Sequence, residues 1–324
     1  MNAADLVLAG GRPDALALRT RDGDLTFGEL SAYANRFGNA LAAQGIGKGD
    51  RIVFLLDDRP ALYAAFFGAL RIGAVPLVLN TRWNAEQVGF AADDSSAKLI
   101  LAEATYEETA RAASAPIEIV GANAHADVSD SLSSLAMQPD DMAFWIYTSG
   151  TTGSPKAAIH THPMASIADK TMRDVHGVSA GDTVFVTSKT FFAFAIGHAL
   201  LGALKIGASV VLDPTWPSPE GVAETVAAFR PTVFYSVPTL YRAMLNAGVV
   251  DTESFASVRR CVSAGERLPE QIQARWHDVT GTAIAEGIGT SETVFMFLCN
   301  PSHDIRPGSA GRITPGSAVR LESD

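Results

Sequence analysis

Residues 142–160 read MAFWIYTSGTTGSPKAAIH. The stretch opens on an apolar run, MAFWIY. It then passes through two glycines, five hydroxyl side chains, a proline and a lysine, and closes on a short run that reads as another strand. An uninterrupted apolar run bounded by turn residues is a strand covered on both faces. The glycine-rich segment therefore begins at a strand's carboxyl end, where open α/β sheets place their ligands. Gly150 and Gly153 let backbone N–H groups wrap an anion. Thr148, Ser149, Thr151, Thr152 and Ser154 add hydroxyl donors, and Lys156 brings the one full positive charge. The Walker spacing is not met: no glycine directly precedes Lys156, Ala157 follows it, and Pro155 blocks a helix start of that kind. On the residues alone the segment is either a loop that closes over a phosphate or a flexible Ser/Gly linker.

The same grammar repeats outward from it. Runs at AVPLVL, KLILA, IEIV, TVFVT, SVVLD, TVFYSV, VRRCVS and AIAEGI alternate with helix-length segments such as PEGVAETVAAFR and LPEQIQARWHDVTG. Unalternating Val, Ile and Leu runs predict largely parallel sheets flanked by helices. Thr26 and Glu29 in LTFGEL form a capping box, and Leu30, Ala34, Phe37 and Leu41 return on one face of the helix that follows. The most membrane-like stretch, 61–80, is broken by Arg71, Gly73 and Pro76, and reads as a buried helix, a turn and a buried strand.

At 324 residues and 47% hydrophobic composition the chain exceeds one core. The expected architecture is α/β, with two packed subdomains. The first lobe covers residues 1–160 and ends in the glycine-rich loop; the second covers 161–305; residues 306–324 start a β-rich third subdomain with a strand at AVRLES. An exposed edge there favours association, so a homodimer is an expectation. A net charge of −10 without any Lys/Arg run argues against a nucleic-acid surface. No signal peptide or membrane span is expected, and two cysteines, Cys261 and Cys299, fit a reducing cytoplasm. His160 and His162 have no third ligand at metal spacing and read as strand-end residues, and His198 as a helix residue near a pocket. No G-x-S-x-G elbow is present, which argues against a serine hydrolase.

YTSGTTGSPK resembles the phosphate loop of the acyl-adenylating superfamily, the AMP-forming acyl-coenzyme A synthetases and their relatives. GIGTSE, residues 287–292, is similar to the family's adenine and α-phosphate motif, and VSAGERL to its adenine-side turn. Together with KTFFAFAIGHAL, RPTVFYSVPTLYRAML and PGSAGRITPG, these look like the benzoate–coenzyme A ligase branch, and the resemblance covers nearly the whole chain. It implies ATP, Mg2+ and coenzyme A as cofactors and an aryl acid as partner. Thr148, Ser149, Gly150, Thr151, Thr152, Gly153 and Lys156 would hold the β- and γ-phosphates. Ser291 would reach the α-phosphate, and Glu292 would carry the metal. Adenine would sit among Ser263, Ala264, Gly265, Glu266, Gly287, Ile288, Gly289 and Thr290. Ala193, Phe194, Ala264, Gly289, Phe295 and Met296 would form the acyl pocket.

Phe194 and Phe295 replace a tyrosine and a histidine expected in the benzoate enzymes, so a ring hydroxyl would lack an obvious partner and a hydroxybenzoate is disfavoured. The family continues into a C-terminal lid domain that bears a catalytic lysine, which is absent from these 324 residues, and weak or absent ligation by this chain alone is the expectation. Activation of a medium-chain or alicyclic acid, loading of a carrier-protein thiol, and a non-catalytic nucleotide- or acid-binding module are the alternatives.

Overall fold

The structure, a computed structural model, describes residues 1–148 and 155–322. The expected phosphate-loop residues Ser149, Gly150, Thr151, Thr152 and Gly153 lie outside the described residues. The chain divides into two compact units, Met1–Leu18 with Asp22–Ile167, and Arg19–Arg21 with Ala168–Asp324.

In the first unit the sheet runs in the order Ile117–Ile119, Leu99–Ala102, Arg51–Leu55, Val75–Val78, Met142–Thr148, Lys156–Thr161. All neighbours are parallel except the last pair, which is antiparallel. Val53, Phe54, Val75, Leu77, Ile100 and Leu101 are fully buried, which is why their sequence runs show no polar alternation. Helix Phe27–Ala43 starts at the expected capping box: Glu29 N–H donates to Thr26 Oγ1 at 3.2 Å, and Thr26 N–H donates to Glu29 Oε2 at 2.8 Å. Its Leu30, Ala34, Phe37 and Leu41 are buried, as the spacing requires. The stretch at 61–80 is helix Pro60–Arg71, a turn and strand Val75–Val78. Among the described residues no helix is long and apolar enough to cross a membrane.

In the second unit the strand order is Arg312–Ile313, Met296–Cys299, Ile284–Gly289, Arg260–Ser263, Val233–Ser236, Thr183–Val186, Ser209–Val211. Strands from Ile284–Gly289 to Ser209–Val211 are parallel, and the two before them pair antiparallel. Helices Pro238–Ala247 and Glu270–Thr280 bury Tyr241 and Trp276 against Phe234 and Phe255. The Trp276 ring lies edge-on to Tyr241 at 4.6 Å and to Phe255 at 5.1 Å.

The amino ends of three of these strands are tied by one carboxylate. Asp182, 5% exposed, accepts from Thr232 Oγ1 at 2.6 Å, from Arg259 Nε at 3.1 Å and from Ser179 N–H at 2.8 Å. Burial alone pulls the Asp182 carboxyl up, but Arg259 and the hydroxyl and amide donors outweigh it and hold it below the usual carboxylate range. The expected strand at AVRLES does not form: 318–322 is irregular, no described strand pairs with it, and Leu321 is 95% exposed. Strands Met296–Cys299 and Arg312–Ile313 were not anticipated from the sequence, the second because two residues are too few to show a period.

Candidate active site

Parallel strands release their chains at one edge, and in the second unit that edge holds a cavity of about 550 Å3. Ser188 follows strand Thr183–Val186, Val237 follows Val233–Ser236, and Ala264, Gly265 and Glu266 follow Arg260–Ser263. Gly289, Thr290 and Ser291 lie at the end of Ile284–Gly289, and all of these residues border the cavity. The Asp182 clamp sits at the opposite ends of the same strands.

Five of the six expected acyl-pocket residues border this one space: Ala193, Phe194, Ala264, Gly289 and Met296. Phe295 is buried, at 8% exposure, but is not part of the wall. Among the expected nucleotide-side residues, Gly265, Glu266, Thr290 and Ser291 border the same cavity, whereas Ser263, Gly287, Ile288 and Glu292 do not. Ser263 is fully buried and its Oγ has no partner among the described residues. Ile288 is 42% exposed, and Glu292 is exposed on the turn beyond Ser291.

Local geometry explains several of these positions. Gly265 turns the chain at φ +93°, a conformation that disfavours a side chain. Glu266 then fastens that turn: its Oε1 accepts from the N–H of Thr239 at 2.9 Å and from the Thr239 hydroxyl, at the start of helix Pro238–Ala247. A carboxylate at a helix amino terminus is favoured by the helix dipole. At Gly287 a Cβ would lie 2.2 Å from Met296 Sδ, so only glycine leaves room for Met296 in its observed position. Val294, which borders the cavity, has φ 60°, a strained conformation for a β-branched residue, and such outliers gather at functional sites.

The remaining wall is a helical segment. Residues Ala193–Ala195 and Leu204–Ile206 are α-helical, while Ile196–Ala203 between them follows the wider i→i+5 pattern, a feature frequent at functional sites. His198 lies in this segment and borders the cavity at 1% exposure. Its Nδ1 lies 2.8 Å from the Phe194 carbonyl oxygen, and its ring sits 4.9 Å from Phe194 and 5.0 Å from Tyr235. Tyr235 Oη is in turn 2.9 Å from His176 Nδ1, and His176 Nε2 is 2.9 Å from Cys299 Sγ. Burial pushes the His198 pKa down to about 4 and that of His176 to about 3, so both rings are neutral near pH 7.

Five wall residues were not placed there by sequence reasoning, Ser188, Phe192, Val237, Thr239 and Val294, whereas His198, read as a helix residue near a pocket, borders it. For His198 a signal existed, because it stands four residues after Phe194 and so on the same helix face.

In the first unit, Thr148 and Lys156 face each other as the last registered pair before the glycine-rich loop, and Thr148 Oγ1 donates to the Lys156 carbonyl at 3.3 Å. Lys156 is exposed. His160 stacks on Phe144 at 4.8 Å, and His162 Nδ1 accepts from Ala3 N–H at 3.0 Å, so both are packing residues of this unit. No group of three His, Cys, Asp or Glu side chains suited to a metal ion occurs among the described residues.

A profile described as AMP-binding enzyme matches residues 8–324. The chain is 42% identical to a 3-hydroxybenzoate–CoA ligase of Aromatoleum sp. (strain CIB), over 99% of this chain and 65% of that protein. It is 43% identical to a 3-hydroxybenzoate–CoA/4-hydroxybenzoate–CoA ligase of Thauera aromatica, again over 99% of this chain and 65% of the relative. Among solved structures, a benzoate CoA ligase from Burkholderia xenovorans LB400 superposes with a TM-score of 0.91 at 31% identity, covering 98% of this chain and 66% of that one. The chain thus spans about two thirds of the length of these relatives.

Proposed function

The chain belongs to the AMP-binding enzyme family, and from that premise we propose that it activates an aromatic carboxylic acid with ATP and passes the acyl group to coenzyme A. The observation that carries this reading is the cavity at the strand ends, apolar at Ala193, Phe194 and Met296 and lined with hydroxyl and backbone groups at Thr290 and Ser291. An apolar slot with a few polar groups is what a flat aryl acid and its carboxylate require. That the relatives named above are aryl–CoA ligases supports the choice of acid.

In the first step a carboxylate oxygen attacks the α-phosphorus of ATP. A bond forms from that oxygen to phosphorus, the bond from phosphorus to the β-bridging oxygen breaks, and pyrophosphate leaves with the electron pair. In the second step the thiol sulfur of coenzyme A attacks the acyl carbon, loses its proton, and AMP departs. Neither step needs a covalent bond to the protein, so its contribution is orientation and charge stabilisation. In this reading Thr148, Lys156 and the hydroxyl residues between them neutralise the charge growing on pyrophosphate. Ser291 Oγ donates to the α-phosphate, and the backbone at 263–266 with Ile288 borders adenine. Glu292 offers one carboxylate to magnesium, which ordinarily takes one or two carboxylates and completes its shell with phosphate oxygens and water. The ion, when bound, would supply positive charge to offset that of the phosphates. The two buried free thiols, Cys261 and Cys299, support a reducing, cytoplasmic setting.

The test is acid-dependent release of pyrophosphate by the full-length protein, measured with benzoate, hydroxybenzoates, cyclohexanecarboxylate and hexanoate. Release with the aromatic acids above the other two is expected. Release led by cyclohexanecarboxylate or hexanoate would replace the aryl reading with an alicyclic or medium-chain one.

A further inference from the structure

The chain reverses between strands Ile284–Gly289 and Met296–Cys299 through residues 290–295, and this turn serves both sides of the proposed site. Thr290, Ser291, Val294 and, just after the turn, Met296 border the cavity. The turn is strained. Phe295 N–H donates to the Thr293 carbonyl at 2.6 Å across Val294, whose φ is 60°. An i→i+2 bond around a residue of positive φ is the rarer, strained kind of γ-turn, and it persists only where its surroundings hold it. One restraint is Gly197, where a Cβ would lie 2.8 Å from the Val294 carbonyl oxygen. The other is a single hydroxyl. Thr293 Oγ1 accepts from Thr290 N–H at 3.1 Å and donates to the Phe295 carbonyl at 2.9 Å, so it ties the first residue of the turn to the last. The Thr290 carbonyl takes the N–H groups of Thr293 and Val294 at 3.2 and 3.0 Å, which closes the turn around Ser291 and Glu292. Thr293 itself is exposed and does not border the cavity.

We propose that Thr293 is a positioning residue for adenylate formation: its hydroxyl holds the 290–295 turn in the strained form that presents Ser291 to the α-phosphate and Val294 to the acid. This deepens the aryl-acid reading and rests on it. Attack on phosphorus needs the reacting atoms aligned, and a displacement of about 1 Å caused far from the chemistry can cost on the order of a hundredfold in rate. Valine keeps the shape of threonine and loses the hydroxyl, whereas serine keeps the hydroxyl and loses the methyl. A packing role would therefore survive in valine, and a bracing role in serine.

The test is steady-state pyrophosphate release by the full-length protein and by Thr293→Val and Thr293→Ser, with an aromatic acid and ATP each varied. Thr293→Val is expected to lower kcat roughly tenfold while KM for acid and for ATP moves less than about threefold, and Thr293→Ser should recover most of kcat. Thr293→Val at full rate, or both variants slowed alike, overturns the assignment. Amide hydrogen exchange gives a readout apart from turnover: the N–H of Thr290, an exposed residue, should exchange slowly in the unaltered protein and rapidly in Thr293→Val. Rapid exchange in the unaltered protein overturns the brace whether or not either variant folds. A protected Thr290 N–H with no pyrophosphate released from any aromatic acid would sink the aryl-acid reading and the catalytic role given to Thr293, while leaving the brace itself.

Discussion

The hairpin of the first unit and the cavity of the second solve opposite problems. At the hairpin, Thr148 and Lys156 stand as a registered pair, with Lys156 exposed, so its charge is available to a ligand and contributes little to holding the unit together. In the cavity, His198 and Met296 are buried members of the packed interior, so a change in ligand contact there is also a change in packing. A charge that must meet phosphate can be left in water until needed, whereas a slot that must distinguish one ring from another has to be built from fixed walls. Function and stability should therefore separate at the hairpin and travel together in the second unit.

The largest effect should come from the clamp beneath the cavity. Asp182→Ala leaves Arg259 and the Thr232 hydroxyl without their shared carboxylate, and a loss of about 4 kcal/mol in urea unfolding is expected. A loss under about 1 kcal/mol would show that the strand ends are held by something else.

Acid comes next. His176 and His198 are neutral in the fold, with pKa values of about 3 and about 4 against an ordinary value near 6.5. The unfolded chain therefore binds more protons between those limits, so stability is fully present above about 6.5 and falls as pH drops toward 4. For His198 the loss is on the order of 3 kcal/mol. Denaturant midpoints measured from pH 7 to pH 4 check this, and a His198→Leu chain should show a flatter profile.

Lys156→Ala should reverse the pattern, lowering pyrophosphate release roughly a hundredfold, about 2.7 kcal/mol of transition-state stabilisation, with Tm unchanged. A Tm fall matching the activity loss would break the proposed separation. Smallest is Thr26→Ala, which removes the cap of helix Phe27–Ala43 in the first unit and should cost about 1 kcal/mol in unfolding without touching acid binding.

Much of the fold was legible because it is written in contiguous runs. The parallel strands are each a short unbroken apolar segment, such as VFYS at Val233–Ser236, and the capping box at Thr26 and Glu29 is a local signature. The residues proposed to meet phosphate at the hairpin are neighbours in sequence, and of them Thr148 and Lys156 lie among the described residues. The cavity was only partly so: its walls come from segments near 188–198, 237–239, 264–266 and 289–296, brought together by sheet order. Ala193, Phe194, Ala264, Gly289 and Met296 came from a resemblance rather than from pattern. His198 was read as a helix residue near a pocket, and the engagement of its Nδ1 by the Phe194 carbonyl is a detail no spacing encodes. Over 318–322 the expected strand does not form, since alternation marks a half-buried strand only beside a partner strand and none pairs with it among the described residues.

The central claim, adenylate chemistry on an aryl acid, is tested most directly by incubating the full-length protein with ATP, Mg2+ and 3-hydroxybenzoate and following the products by mass spectrometry. An aryl-adenylate is expected with pyrophosphate in equal amount, converting to the coenzyme A thioester and AMP when coenzyme A is added. ADP and phosphate in place of AMP and pyrophosphate, or no adenylate with any aromatic acid, would contradict it.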